Sequence, residues 1–257
     1  MDCIEVLGAY GGRGAGKNTT CFRLAPNIVI DAGNIIAPLK EEAESVEYVF
    51  LTHSHLDHVV DIPFLIDTFY AIKTKPLIIY GLAETLESLK ENILNWKVWP
   101  DFSELDLINK SGKSIIFTEI DFGDVFEIGG LTIEPIKTCH TIASCGYKIT
   151  KDGRTTIITS DTGPCDEVVR VVKETKNLKN LVIECAFPSR FKKLAHDSMH
   201  LTPLLLEEEL KKIGRTDLKI FINHLKPFYE AEIRSELSAI PLLGSAEVLE
   251  DGYKIPY

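Results

Sequence analysis

The sequence predicts an α/β protein in which two β-sheets pack together and helices cover them on the outside. Apolar stretches typical of strands occur in bursts that are broken by single amphipathic helices, as in layered α/β architectures. No low-complexity linker divides the 257 residues, of which 45% are hydrophobic and 26% charged. We therefore expect one domain over residues 1–257, with enough chain to bury a full core.

The first predicted strand, Ile4–Leu7, runs into a glycine-rich loop. From Gly11 this loop matches the phosphate-loop pattern G-x-x-x-x-G-K, but Asn18 stands where a magnesium-binding Ser or Thr is needed. A strand-like segment follows, whereas a phosphate loop must open a helix. The loop is then either an ordinary flexible glycine loop or, if it is functional, a rim over a metal site. Arg13 or Lys17 would there be solvated or would meet a phosphate.

The remaining elements alternate between short apolar strands and helices with an apolar face. The predicted strands are Ile28–Ile30, Val46–Leu51, Leu77–Tyr80, Ser114–Phe117, Val125–Ile128, Leu131–Ile136, Ser144–Ile149, Thr155–Thr159, Leu181–Glu184 and Leu218–Ile222. The predicted helices are Ile62–Ile72, Ala83–Ile93, one after Pro164, one from Pro203 to Ile213 and Tyr229–Leu237. Residues Asn95–Lys113, which hold both tryptophans, show no regular pattern.

Four residues that can bind metal follow the apolar run Val46–Leu51 within one short segment, namely His53, His55, Asp57 and His58. In an extended segment His53 and His55 point the same way, because side-chain direction repeats every two residues. Asp57 and His58, where the chain turns into a helix, are placed to bind a second ion. Two such ions ~3.5–4 Å apart form a hydrolytic site. Solvated residues at a strand end are the alternative, and they do not explain this spacing.

Three further residues of the same kind, His140, Asp161 and His224, each follow a predicted strand. Any one of them alone would be an ordinary surface or core residue. Strand ends that gather at one edge, however, are where a site on rigid elements is built. The predicted ligands are His53, His55 and His140 for one ion, Asp57, His58 and His224 for the other, and Asp161 between them.

Composition limits the classes of partner. The formal net charge of -10 argues against a nucleic-acid binder that relies on a broad basic face. Residues 1–6 lack the basic start and apolar stretch of a signal peptide. No apolar run approaches the ~20 residues of a membrane span. We therefore expect a cytoplasmic protein with no membrane partner.

The cysteines lead to the same expectation. The chain has six, with no C-x-x-C pair among them: Cys3, Cys21, Cys139, Cys145, Cys165 and Cys185. This scatter favours reduced, mostly buried thiols in the cytoplasm over a disulfide framework or a zinc ribbon. Cys139 lies beside His140, but we interpret it as a small core residue rather than as a ligand.

The segment Thr52–His58 resembles the signature of the metallo-β-lactamase superfamily, and His140, Asp161 and His224 match its remaining ligand positions in order. The resemblance covers nearly the whole chain. It implies an αββα sandwich of two mixed β-sheets flanked by helices, with two divalent metal ions that are usually Zn²⁺. Mn²⁺ or Fe²⁺ would suit the same ligands. It does not imply one substrate, because the superfamily includes lactonases, thioesterases, nucleases and phosphodiesterases.

Further segments are similar to the phosphodiesterase branch. Ser160–Cys165 resembles the bridging-aspartate segment of that branch, which includes the tRNA 3′-processing endonucleases. His200–Pro203, with Ile183–Phe187 before it and Asn223–Pro227 after it, looks more like class II 3′,5′-cyclic-nucleotide phosphodiesterases. Asp61 departs from that class, which prefers Gly or Ser at this position. Dimerisation is common in the resembled branch, so a homodimer is one expectation.

We therefore hypothesise a phosphodiesterase that hydrolyses 3′,5′-cyclic nucleotides, cAMP or cGMP, to 5′-monophosphates. The metal ions would lower the pKa of a bridging water, and the resulting hydroxide would attack phosphorus. We assign catalytic roles to His200, Asp57 and Glu184: His200 donates to the phosphoryl or leaving oxygen, and Glu184 orients His200 or a ligand histidine. The substrate-binding residues, the preferred base and the native metal stay open.

The alternative hypothesis is an RNA hydrolase like the tRNA 3′-processing endonucleases. Only twenty residues separate His140 from Asp161, which leaves no room there for the long tRNA-gripping arm of many such enzymes. Together with the negative net charge, this spacing favours a small substrate over a nucleic acid. A metal sensor without activity, a lactonase or a thioesterase would not explain His200 and its flanking residues.

Overall fold

In the computed structural model, which describes residues Met1–Tyr257, fourteen strands form two seven-stranded sheets flanked by helices. The strands are β1 (Cys3–Gly8), β2 (Cys21–Ala25), β3 (Ile28–Ile30), β4 (Tyr48–Phe50), β5 (Leu77–Gly81), β6 (Ile115–Glu119), β7 (Phe126–Ile128), β8 (Leu131–Lys137), β9 (Cys145–Lys151), β10 (Arg154–Ile158), β11 (Leu178–Glu184), β12 (Lys219–Asn223), β13 (Glu247–Val248) and β14 (Lys254–Pro256). The α-helices are α1 (Ile36–Leu39), α2 (Leu56–Val59), α3 (Asp61–Phe69), α4 (Ala83–Asn92), α5 (Asp166–Glu174), α6 (Lys192–Asp197), α7 (Pro203–Ile213) and α8 (Glu230–Ala239).

Both sheets are mixed, and each has an antiparallel half and a parallel half. The first sheet has the order β14-β1-β2-β3-β4-β5-β6, antiparallel as far as β3 and parallel from β3 to β6. The second has the order β13-β12-β11-β10-β9-β8-β7, parallel from β13 to β10 and antiparallel beyond. The predicted αββα architecture is confirmed.

Strand β4 shows how the layers are held. Phe50 packs between the two sheets, whereas Val49 and Leu51 pack beneath the outer helices of the first sheet. This division follows from the alternation of side chains along a strand. The Phe50 ring stacks on Tyr80 of its own sheet at 4.4 Å and meets Tyr147 of the other sheet edge-on at 5.6 Å. Strands buried on both faces are apolar, and β4 fits this rule because it begins at Tyr48, after the charged Glu47 of the predicted run.

Most predicted element positions agree with the structure to within a few residues. Helix α7 has the predicted ends: Thr202 Oγ1 accepts a hydrogen bond from Leu205 N, Pro203 occupies the first turn, and Gly214 ends the helix at φ 66°. The glycine-rich loop opens no helix, since β2 follows it, so the phosphate-loop interpretation was correctly rejected. Residues 95–113 contain no helix or strand, as expected.

Candidate dinuclear metal centre

The carboxyl ends of parallel strands from both sheets meet at one edge of the sandwich. Strand β4 leads into His53, β10 into Asp161 and β12 into His224. Ser160 and His224 have positive φ angles of 56° and 63°, which are costly for residues other than glycine. These sharp turns at the strand ends lie where the candidate ligands come together.

The first ligand group consists of His53, His55, His140 and Asp161, whose ligand atoms lie within 4.8 Å of one another. His55 Nδ1 lies 3.1 Å from His53 Nε2 and 3.1 Å from His140 Nε2. Burial lowers the pKa of all three imidazoles, that of His53 well below its usual range. Neutral imidazoles are the form that binds a metal ion.

The second group consists of Asp57, His58 and His224, again with ligand atoms within 4.8 Å of one another. His224 Nδ1 lies 3.0 Å from Thr20 Oγ1. Burial by itself would raise the pKa of the Asp57 carboxyl, but His58 and His224 outweigh it and lower that pKa. An ionised carboxylate and two imidazoles thus face one point.

Asp161 lies between the groups. Its Oδ2 is 3.1 Å from His224 Nε2, 3.4 Å from His58 Nε2 and 3.7 Å from His53 Nε2. Burial would raise the pKa of Asp161, but His224 and His58 hold it well below its usual range. One carboxylate therefore faces ligands of both predicted ions.

The donor set fits two divalent cations. Three buried ligand atoms, His58 Nε2, His224 Nε2 and Asp161 Oδ1, have no hydrogen-bond partner. Buried polar atoms are otherwise almost always paired, so orphans gathered at one point indicate a missing partner. A metal ion satisfies imidazole nitrogens and carboxylate oxygens together. All seven predicted ligands are brought together; their assignment to two ions stays a prediction that this geometry supports.

Asp31 contacts a candidate ligand of the centre, His58, and the sequence-based prediction did not include it. Its Oδ1 accepts hydrogen bonds from Thr52 N at 2.9 Å and Thr52 Oγ1 at 3.0 Å. Its Oδ2 lies 2.7 Å from His58 Nδ1. A carboxylate on one imidazole nitrogen fixes the ring so that the other nitrogen faces the metal. The available signal was its position at a strand end, which it shares with the predicted ligands.

His200 and Glu184 form a buried pair beside the ligands. His200 Nδ1 lies 2.6 Å from Glu184 Oε1, and the same carboxylate accepts hydrogen bonds from Thr162 N and Leu201 N. Burial by itself would lower the pKa of His200, but Glu184 raises it. A His200 ring nitrogen lies within 4.8 Å of ligand atoms of Asp161 and His224. The structure thus brings these two residues to the centre, and their catalytic roles stay predictions.

Glycines allow the backbone to approach the ligands closely. A Cβ on Gly11 would lie 2.5 Å from His224 Cδ2, and one on Gly33 would lie 2.2 Å from the Asp57 carbonyl oxygen. Neither distance is compatible with a side chain. The glycine-rich loop therefore packs directly against a ligand ring, in keeping with its interpretation as a rim of the site.

The prediction that all cysteines are reduced is wrong for one pair. Cys139 and Cys165 form a disulfide with a Cα–Cα distance of 5.5 Å. The bond joins the segment of His140 to the turn that follows Asp161, where Gly163 N also donates to Cys139 O at 2.8 Å. The two cysteines are 26 residues apart, so only tertiary packing pairs them. The other four cysteines are free, as predicted.

Comparison with known proteins identifies the family. Residues 26–222 match the model of the Beta-lactamase superfamily domain. The chain belongs to the β-lactamase superfamily. Its sandwich is the one expected from the resemblance to the metallo-β-lactamase superfamily and its phosphodiesterase branch. No helix of this superfamily member is long and apolar enough to pass through a bilayer.

Its relatives include phosphodiester hydrolases of two kinds. A probable 3′,5′-cyclic-nucleotide phosphodiesterase from Yersinia pestis is 27% identical over 222 residues, which cover 76% of this chain and 62% of that protein. Ribonuclease Z from Methanosarcina acetivorans is 23% identical over 239 residues, covering 74% and 73%. The crystal structure of unliganded yeast PDE1 has a TM-score of 0.81 at 17% identity, with 99% of each chain covered, and shares the fold. The chain thus spans about six tenths of its Yersinia relative's length.

Proposed function

We propose that this protein is a metal-dependent phosphodiesterase that hydrolyses 3′,5′-cyclic nucleotides to 5′-monophosphates. The observation that carries the proposal is the pair of ligand groups on either side of Asp161, with His200 beside them. The Yersinia pestis relative, named as a probable cyclic-nucleotide phosphodiesterase, supports the substrate class. We propose Zn²⁺ as the native ion, with Mn²⁺ or Fe²⁺ as the alternatives that the same ligands suit.

When bound, two divalent ions would lower the pKa of a water molecule and neutralise charge on the phosphoryl oxygens. The protein's own residues supply the rest. The Asp57 side chain is 26% exposed, so it would hold its ion at the side of the centre that is open to solvent. His200 donates a hydrogen bond to a phosphoryl oxygen or a proton to the leaving 3′-oxygen. Glu184, fully buried, holds the His200 ring in that orientation.

Two features favour a small substrate over RNA. The stretch between His140 and Asp161 is filled by the β9–β10 hairpin, which leaves no segment for a nucleic-acid-gripping arm. A cavity of about 440 Å³ beside Ala143, in the loop after His140, is lined with acidic side chains. These are Glu84, Glu119, Asp121 and Asp124. Acidic walls at this edge repel a polyanion far more than they repel a singly charged cyclic nucleotide.

We further propose that residues 1–257 work as one domain, because His53 follows a strand of the first sheet and Asp161 follows one of the second. A homodimer and a cytoplasmic location complete the proposal, although a disulfide such as Cys139–Cys165 is rare in the cytoplasm. Light scattering on the purified protein tests the assembly. A mass near that of a single 28.7 kDa chain would rule the dimer out.

Product analysis tests the function. The metal-loaded protein is incubated separately with cAMP, cGMP, a tRNA precursor and bis(p-nitrophenyl) phosphate. We expect conversion of a 3′,5′-cyclic nucleotide to the 5′-monophosphate, with the tRNA precursor intact. Cleavage of the precursor with both cyclic nucleotides unchanged would instead establish the alternative hypothesis, an RNA hydrolase. The Methanosarcina acetivorans relative, named as a ribonuclease Z, supports that alternative. Turnover of the generic diester alone would contradict both substrate assignments.

A further inference from the structure

We propose that Lys226 binds a non-bridging oxygen of the substrate's phosphodiester and so anchors the anion at the metal centre. This inference rests on the proposed function and extends it, because the sequence left the substrate-binding residues open. Lys226 lies two residues beyond the candidate ligand His224, in the loop that follows β12.

The position of its ammonium group carries the argument. Lys226 Nζ lies 4.0 Å from Asp57 Oδ2, and His224 Nε2 lies 3.8 Å from the same oxygen. The ammonium group and a candidate metal ligand thus flank one carboxylate of the second ligand group. The side chains of Lys226 and Asp57 are 27% and 26% exposed. Both side chains are therefore partly accessible to a ligand from solvent.

The ammonium group also has donors to spare. An ammonium carries three N–H donors. One goes to the Gly11 carbonyl oxygen at 2.6 Å, which holds the side chain in place. Asp57 Oδ2, at 4.0 Å, is beyond hydrogen-bonding distance. Two N–H groups therefore remain for a ligand, and charge-assisted hydrogen bonds to phosphate oxygens are among the strong ones.

The cations of the glycine-rich loop are engaged elsewhere. Lys17 Nζ contacts the Glu230 carboxylate, and this pair lies within a network that includes Arg234. Arg13 Nη2 lies 3.9 Å from Asp61 Oδ1, and its side chain is 60% exposed. Neither is hydrogen-bonded or ion-paired to a candidate ligand, so Lys226 is the better placed cation. The exposed Lys173 on α5, which lies outside the glycine-rich loop, is a suitable control.

The test compares Lys226→Gln with wild type and with Lys173→Gln. Glutamine retains a donor for the Gly11 carbonyl but removes the charge. We expect the dissociation constant for inorganic phosphate, measured by calorimetry on metal-loaded protein, to rise about tenfold to a hundredfold. KM for the hydrolysed diester should rise similarly and depend less on ionic strength, while metal content stays at the wild-type level. Lys173→Gln should change none of these quantities.

Two results would overturn the proposal. Wild-type phosphate affinity and KM in Lys226→Gln would make Lys226 only a tether for the glycine-rich loop. Loss of metal from that variant would mean that Lys226 acts through Asp57 rather than on substrate. Failure of the proposed function would look different: the wild-type protein would bind phosphate through Lys226 but would hydrolyse no phosphodiester.

Discussion

Three histidine rings of the centre are each oriented by a contact on Nδ1, the ring nitrogen that faces away from the candidate metal sites. His58 Nδ1 meets Asp31, His140 Nδ1 meets the Met199 carbonyl oxygen, and His200 Nδ1 meets Glu184. Each contact fixes a ring orientation and leaves the other nitrogen available. For the candidate ligands that nitrogen would face a metal ion. We propose that for His200 it faces the substrate.

Removing the His200 ring should therefore separate catalysis from metal binding. We expect His200→Ala to keep the wild-type metal content and to lose turnover by roughly 10²–10⁴, the usual contribution of a positioned acid or base. Metal analysis and steady-state kinetics on the same preparation check both parts. Asp161→Ala serves as the contrasting variant, because it should lose metal together with activity. Full turnover in His200→Ala would contradict the catalytic role assigned to His200.

At the scale of elements, the glycine-rich loop between β1 and β2 packs against the candidate site. Tyr10 pairs with both Thr19 and Leu225 in isolated β-bridges, which ties the loop to the segment after β12. Gly11 N donates to Leu225 O at 3.2 Å, and Lys226 Nζ donates to Gly11 O. The loop thus packs on the same short segment that carries His224, so its shape and the position of that ligand are linked.

A methyl group in this loop should have different effects at adjacent positions. In Gly11→Ala the new Cβ would lie 2.5 Å from the His224 ring, so the ring or the loop must move, and we expect weaker metal binding and lower activity. In Gly12→Ala the nearest atom is Pro227 Cδ at 3.4 Å, an ordinary contact, so this variant is the matched control. Metal titration of both variants decides the point. Equal metal affinities would show that the loop yields without disturbing the ligand.

For the whole molecule, the centre connects the two sheets. The segment Thr52–His58 follows a strand of the first sheet, whereas Asp161 and His224 follow strands of the second. Ions held between these ligands would cross-link the sandwich at one edge. A ligand that binds only the folded state stabilises it by mass action.

Metal removal should accordingly lower the melting temperature. With free metal at about one hundred times its dissociation constant, each bound ion contributes about 2.7 kcal/mol. For a chain of this size, each ion lost on chelation corresponds to a fall of roughly 5–10 °C. Differential scanning calorimetry with and without a chelator measures the shift, and re-addition of Zn²⁺ should reverse it. Asp161→Ala should show little shift, and an unchanged wild-type melting temperature would contradict metal binding between the sheets.

The sequence by itself determined the fold class and the candidate ligands, because patterns over a few neighbouring residues are sufficient to predict both. The spacing of His53 and His55 follows from the two-residue period of an extended chain, and His140, Asp161 and His224 are recognisable by their places at strand ends. These patterns can be recognised without knowing how the chain packs. The same holds for the ends of α7, where Thr202, Pro203 and Gly214 act on their own neighbours.

Tertiary structure alone decided the contacts between residues that are distant in the chain. The carboxylate of Asp31 on His58, the Cys139–Cys165 disulfide and the approach of Lys226 to Asp57 all join separate segments. No local periodicity encodes them, because each depends on how the two sheets and their loops pack. The correction to the cysteine prediction has this same origin: spacing in sequence does not report distance in space.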